Sequence, residues 1–214
     1  MSKLDSTIHT LVDDLTPTGP PSRPGLSALA WWLVAMGGTA AVMAGVQPFR
    51  PGFVGQLIAT PRFTIETILG VVACFAMAWA AFALGIPDVR SPWRRARVPL
   101  VLLTVWFALF GAALLAPVLT PSMAGKRPHC VLEVVLYAAP LTVAGLIVMR
   151  RMLPLNAAST GAWMGFAAGL IPAFLMQLAC MHEPLHIIKL HLAPTVGAAV
   201  VGSLFGWWLL RRQD

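Results

Sequence analysis

Long apolar stretches separated by short polar or proline-containing segments dominate the pattern of this 214-residue chain. Each stretch is about 20 residues long, which is the length an α-helix needs to cross the hydrocarbon core of a bilayer. Six such stretches occur, at 26–46, 63–86, 98–119, 131–149, 160–179 and 190–210. The pattern therefore predicts an all-α fold: a polytopic bundle of six transmembrane helices in one domain, residues 26–214.

Composition supports a membrane protein. The chain is 58% hydrophobic and 11% charged, with a mean hydropathy of +0.78, whereas soluble domains are about 45–50% apolar and about 25% charged. These values exclude a soluble enzyme and a disordered chain. Although the net charge is +7, the charges lie at the ends of apolar stretches instead of forming one basic face, so we expect the lipid bilayer, and not nucleic acid, as a direct partner.

Charge distribution predicts the orientation. An even number of spans places both termini on one side, and ten of the fifteen Lys and Arg residues fall on that side. Three of the ten, Arg94, Arg95 and Arg97, share one short loop. Because short cytoplasmic loops carry an excess of Lys and Arg, we predict that both termini are cytoplasmic.

Residues 1–25 form the only long segment outside the spans. Its apolar residues recur at the spacing of one helix face: Leu4, Ile8, Leu11, Val12 and Leu15. A proline-rich spacer ends this predicted amphipathic helix before the first span. One interpretation is a helix lying on the inner leaflet, but the acidic residues of the segment, including Asp13 and Asp14, suit an anionic surface poorly. The alternative is a helix that folds into a groove of a partner protein.

Cysteine and histidine residues concentrate on the predicted outer side of the membrane. Thiolate, imidazole and carboxylate groups together suit Zn²⁺, Cu⁺ or Cd²⁺. The candidate metal ligands are Cys130, Cys180, His129, His182, His186 and Glu133, and His191 follows nearby. An oxidising outer compartment would also permit a disulfide between the two cysteines. The spacing leaves open a metal- or redox-responsive site, a structural disulfide, and no joint role.

Small residues recur every fourth position in the last two spans. Gly161, Gly165 and Gly169 lie in the fifth span, and Gly202 and Gly206 in the sixth. This spacing allows two helix backbones to approach closely in a membrane. We interpret these glycines as structural.

These features together resemble the NrsF family of bacterial inner-membrane anti-sigma factors, and the resemblance extends over essentially the whole chain. It rests on the segment from Leu11 to Leu15 with its spacer through Pro24, on the six spans, and on Cys130 just before the fourth span. It also includes the run from Arg150 through the fifth-span glycines to Cys180.

The resemblance implies a non-catalytic regulator of the inner membrane. Such a protein sequesters an extracytoplasmic-function (ECF) sigma factor and releases it when an external heavy metal or oxidant is sensed. Cys130 and Cys180 would be the sensor pair, no cofactor would be required, and a Zn, Cu or Cd ion would act as the signal. The residues that would contact the sigma factor are Leu4, Ile8, Leu11, Val12, Asp13, Asp14 and Leu15.

The segment after Cys180 departs from the family pattern. Family members resemble one another in acidic residues followed by a Trp-Tyr pair, whereas Met181, His182, Glu183, Pro184, Leu185 and His186 follow here. The additional His and Met side chains could favour a different metal.

Two other functions fit less well. A membrane thiol–disulfide oxidoreductase typically needs a Cys-x-x-Cys pair, and a metal permease needs ligands within the membrane; the sequence has neither.

Overall fold

The computed structural model describes residues 7–8, 12, 23–87, 91–120 and 122–210, and regular structure in these ranges is entirely helical. Six helices are long and apolar enough to cross a membrane, which confirms the predicted fold class. A short helix, α2, lies between the first two of them. The helices are α1 (Pro24–Val46), α2 (Phe53–Ala59), α3 (Pro61–Leu84), α4 (Pro92–Ala113), α5 (Cys130–Met149), α6 (Ala157–Ala179) and α7 (Pro184–Leu210).

The third and sixth spans differ most from the sequence prediction. The third span was predicted at 98–119, but α4 runs from Pro92 to Ala113. Arg95 lies in its first turn and donates hydrogen bonds to the carbonyl oxygens of Ala83 (2.7 Å) and Ile86 (3.2 Å) at the end of α3. The arginines therefore belong to the helix and not to the loop before it. Similarly, the sixth span begins six residues earlier than 190, at Pro184.

Successive long helices are joined by short connections, so their ends alternate between the two ends of the bundle. The connections 47–60, 114–129 and 180–183 meet at one end, which we call the cysteine end. Arg62 Nη1, in the first turn of α3, donates to the carbonyl oxygen of Ala116 there (2.9 Å), which links the start of α3 to the second of these connections. The opposite end, which we call the terminal end, holds the last residues of α3 and α5, the first residues of α4 and α6, and the N-terminus of α1.

Helix α6 forms the centre of the bundle. It is the most buried of the long helices and packs against α1, α3, α5 and α7. Phe174 of α6 contacts the fully buried ring of Trp106 from α4, with ring centroids 6.2 Å apart. The other helices expose apolar side chains such as Val34, Ile58 and Leu204 on the outside of the bundle. Such an outer surface suits lipid.

The backbones of α6 and α7 are in direct contact. A Cβ atom added to Gly161 would lie 2.7 Å from the Cα of Gly206, and one added to Gly165 would lie 2.9 Å from the Cα of Gly202. No side chain fits between the helices at these positions. The prediction that these glycines are structural is confirmed.

Most of the N-terminal segment lies outside the described residues. Ile8 and Val12 are in helical backbone and are 49% and 55% exposed. The other predicted contact residues are not described: Leu4, Leu11, Asp13, Asp14 and Leu15. Their role in sigma-factor binding stays a prediction.

Candidate functional site

The cysteine end brings Cys130 and Cys180 together. Cys130 is the first residue of α5, and Cys180 directly follows the last residue of α6. Their Sγ atoms lie 3.4 Å apart, well beyond the bond length of about 2.05 Å in a disulfide, and both residues are free thiols. Both are buried, with exposed fractions of 3% and 0%. The two thiols are close enough for one to donate a hydrogen bond to the other.

Two histidines of α7 complete the group around the thiols. His186 Nε2 lies 3.5 Å from Cys130 Sγ and 3.4 Å from Cys180 Sγ. The ring of His191 stands perpendicular to that of His186, with centroids 5.0 Å apart. One ligand atom from each of the four residues lies within 4.8 Å of the others. We call Cys130, Cys180, His186 and His191 the Cys/His cluster.

A π-helical segment, Ile187–Leu192, aligns the two histidines. In a regular α-helix, with about 3.6 residues per turn, side chains five positions apart point in directions about 140° apart. The wider π turn, with its i to i+5 hydrogen bonds, places such residues one turn above the other. The helix begins at Pro184, where the Glu183 carboxylate accepts a hydrogen bond from the backbone N–H of His186 (2.8 Å). The sequence gives the spacing but not the π turn, so His191 was absent from the predicted ligands.

Three predicted ligands lie outside the Cys/His cluster. His182 Nε2 is 3.5 Å from Glu66 Oε2, and both side chains are buried. Glu133 accepts a hydrogen bond of 2.6 Å from Arg127, and His129 is exposed just before α5. The structure thus brings together only half of the predicted metal ligands, namely Cys130, Cys180 and His186.

Two buried arginines hold the backbone around the cysteines. Arg50, 3% exposed, donates from Nη1 to the carbonyl oxygen of Cys180 (3.0 Å). Arg127, 2% exposed, donates to the carbonyl oxygen of Gln47 at the end of α1 as well as to Glu133. The sequence alone does not reveal these contacts, because the carbonyl partners lie 80 or more residues away.

The surroundings of Cys180 favour its thiolate. A hydrogen bond from the Cys130 thiol lowers the pKa of Cys180, and this effect exceeds the opposing effect of burial. The thiolate is the form that binds metals and reacts with oxidants. Of the two sulfur atoms, that of Cys180 therefore has the greater thiolate character.

Replacing Arg127 by methionine is expected to destabilise the cysteine end. The substitution leaves Glu133 without its cation, and loss of one partner from a buried pair costs about 3 kcal/mol or more. Thermal unfolding in detergent, followed by tryptophan fluorescence, measures the effect. Arg62→Met is the control because the bond of Arg62 to Ala116 is exposed, and it should change stability by less than about 0.5 kcal/mol. Equal shifts for the two variants would contradict a special role for Arg127.

Comparison with known families adds the decisive observation. The profile of NrsF, described as a negative regulator of sigma F, matches residues 11–211. The chain belongs to the NrsF family. The NrsF match includes the tail from Leu11, all six spanning helices and both cluster cysteines, and it leaves out Leu4 and Ile8. The family description names negative regulation of a sigma factor, a regulatory role and not a catalytic one. No curated protein and no solved structure matches the chain.

Proposed function

We propose that this NrsF-family chain is a membrane-bound anti-sigma factor of the bacterial inner membrane. Its cytoplasmic N-terminal tail holds an ECF sigma factor, and an external heavy metal or oxidant at the Cys/His cluster causes release. The main support for this proposal is the family match over residues 11–211, because the matched region includes both part of the tail and the cluster. The lowered pKa of Cys180 supports the cluster as the reactive part.

Arg127 provides a route from the cluster to the tail. It lies three residues before Cys130 and donates a hydrogen bond to the carbonyl oxygen of Gln47, just after α1. The other end of α1, at Pro24, continues into the tail. Displacement of Cys130 by a ligand would therefore pull on one end of the helix whose opposite end holds the sigma-binding segment, across about 30 Å of hydrocarbon.

Oxidation of the two cysteines by a peroxide balances in atoms and electrons. Two thiols give up two electrons and two protons to a peroxide; the S–S bond forms, the O–O bond breaks, and two water molecules leave when the peroxide is hydrogen peroxide. The Sγ separation of 3.4 Å requires the sulfur atoms to approach by a little over 1 Å. The thiolate of Cys180 is the attacking group, since thiolates and not thiols are nucleophilic.

Substituting Leu11 and Leu15 together by aspartate is expected to release the sigma factor. Two charges on the apolar face would oppose burial of the helix in a partner's groove. Affinity purification from the native host in mild detergent, followed by mass spectrometry, detects a bound sigma factor. Ser6→Asp with Thr10→Asp is the control, because these positions lie off the apolar face. Absence of a sigma factor from the folded, reduced wild-type protein would overturn the proposal.

The proposed orientation gives a separate prediction. Alkaline phosphatase needs disulfides, which form outside the cytoplasm. Fused after Asp214, it is expected to be inactive; fused after Ser122, in the connection before the cluster, it is expected to be active. Phosphatase assays on whole cells report both. The reverse result would place the Cys/His cluster in the cytoplasm and contradict external sensing.

The free thiol pair also supports a second candidate, a membrane thiol–disulfide oxidoreductase. The pair is buried, and the cleft beside Cys130 is the route by which a substrate protein would reach it. Purified protein that turns over dithiols with a quinone or another electron acceptor would establish this activity. A protein that forms one disulfide per chain without turnover would exclude it.

A further inference from the structure

The four members of the Cys/His cluster have the donor set and spacing of a closed metal site. The measured separations between Sγ and Nε2 atoms are 3.4 and 3.5 Å, and no pair of ligand atoms is more than 4.8 Å apart. In a tetrahedral site with bonds of about 2.3 Å to sulfur and about 2.1 Å to nitrogen, neighbouring donors lie about 3.4–3.8 Å apart. The cluster needs only a contraction of about 1 Å in its widest pair to reach that geometry.

We propose that Cys130, Cys180, His186 and His191 together bind one divalent d¹⁰ cation, Zn²⁺ or Cd²⁺, in four-coordinate geometry. The role of this site as the metal sensor of a sigma-factor regulator rests on the proposed function. The proposal that the site binds the ion rests only on the geometry of the cluster. This site differs from a sensor made of two cysteines because it includes His191, which the π turn places beside the thiols.

Burial of His191 supports a ligand. Its side chain is fully buried, and neither ring nitrogen makes a hydrogen bond of good geometry. A buried polar group without a partner is destabilising, and a bound cation would remove that penalty for the nitrogen it contacts. The π turn supports the same conclusion, since single π turns within α-helices are frequent at functional sites.

The charges in the cluster balance for a divalent ion. Two thiolates and two neutral imidazoles give a net charge of zero around a dication, which avoids leaving uncompensated charge in a buried site. A univalent ion such as Cu⁺ would leave one negative charge there. The thiolate and imidazole donors also suit Zn²⁺ and Cd²⁺ better than the oxygen-preferring Mg²⁺ or Ca²⁺.

A cleft gives the ion a path to the cluster. It has a volume of about 430 Å³ and is lined by Arg127, His129, Cys130 and Leu190, among other residues. It opens beside Cys130 at the cysteine end.

Metal titration of the purified, reduced protein in mild detergent tests the site. Elemental analysis should find one Zn²⁺ or Cd²⁺ per chain, and Cd²⁺ should produce the ultraviolet charge-transfer band of thiolate ligation. Co²⁺ used as a probe should show the visible bands of tetrahedral coordination with sulfur ligands. His186→Gln and His191→Gln should each weaken Cd²⁺ binding by at least about 100-fold, because even residues outside the ligand sphere change affinity 10–100-fold.

Matched controls keep the test decisive. His182→Gln and His129→Gln change histidines at the same end of the bundle that lie outside the cluster, and both should keep wild-type affinity. Size-exclusion chromatography identifies any variant that fails to fold. Wild-type affinity in folded His186→Gln and His191→Gln would overturn the four-coordinate site, and so would absence of binding to folded, reduced wild-type protein. Neither result depends on sigma-factor copurification, so this proposal and the proposed function fail separately.

Discussion

Serine in place of both Cys130 and Cys180 is expected to abolish release of the sigma factor by cadmium or peroxide. Serine keeps the size of the side chain, but its hydroxyl does not ionise near neutral pH, binds d¹⁰ cations weakly and forms no S–S bond. A transcription reporter controlled by the sigma factor measures the response in the native host. The reporter should stay at its untreated level in the variant and rise in the wild type.

Cys74→Ser is the control for that experiment. Cys74 is fully buried in α3, where its Sγ lies 3.5 Å from the carbonyl oxygen of Leu170, and it is not part of the Cys/His cluster. This variant should respond like the wild type. Copurification must also show that the doubly substituted protein still holds the sigma factor before treatment. A full response without Cys130 and Cys180 would contradict their role as the sensor pair.

Leucine in place of Gly202 is expected to prevent stable packing of the bundle. A Cβ atom at this position already lies 2.7 Å from the Cα of Gly165, so the rest of a leucine side chain would force α6 and α7 apart. Overpacking usually costs about 1–3 kcal/mol, and contact with backbone, which cannot rotate away, puts the expected loss at about 3 kcal/mol or more. Membrane yield, size-exclusion profile and thermal midpoint in detergent measure the effect.

Gly197→Leu provides the matched control on the same helix. A Cβ atom added to Gly197 has no heavy atom within 4 Å, and the position borders an apolar groove. The added side chain should be tolerated with little change in yield. If the Gly202 and Gly197 variants behaved alike, direct backbone contact would not be what holds α6 against α7.

Much of the architecture could be predicted because each spanning helix is determined by its own apolar residues. The glycine contact between α6 and α7 was also accessible, since the four-residue spacing alone places Gly161 and Gly165 on one face. Helix ends were harder to predict. At the start of α4, Arg95 binds carbonyl groups at and just after the end of α3, a contact that the hydropathy of either segment does not reveal.

The site was predictable only in part for a similar reason. Cys130 and Cys180 end adjacent helices, so their meeting follows from topology. His182 is only two residues from Cys180, yet it lies against Glu66. His191 reaches the cluster because the backbone adopts a π turn. Neither side-chain direction can be derived from sequence spacing, because each depends on a local backbone conformation that tertiary packing selects.

The direct contact of α6 with α7 also constrains how the molecule can change shape. Because no side chain separates the two backbones at the glycine positions, sliding one helix against the other would force backbone atoms together. The two helices should therefore move as a pair, and this pair carries Cys180, His186 and His191. The remaining donor, Cys130, belongs to α5. Bond formation between Cys130 and Cys180, which needs their Sγ atoms to approach by a little over 1 Å, is therefore a movement of α5 toward that pair of helices. Helix α5 has 20 residues and is therefore about 30 Å long. If it tilts about a point near its middle, a shift of about 1 Å at Cys130 is accompanied by an opposite shift of similar size near Arg150, at the terminal end.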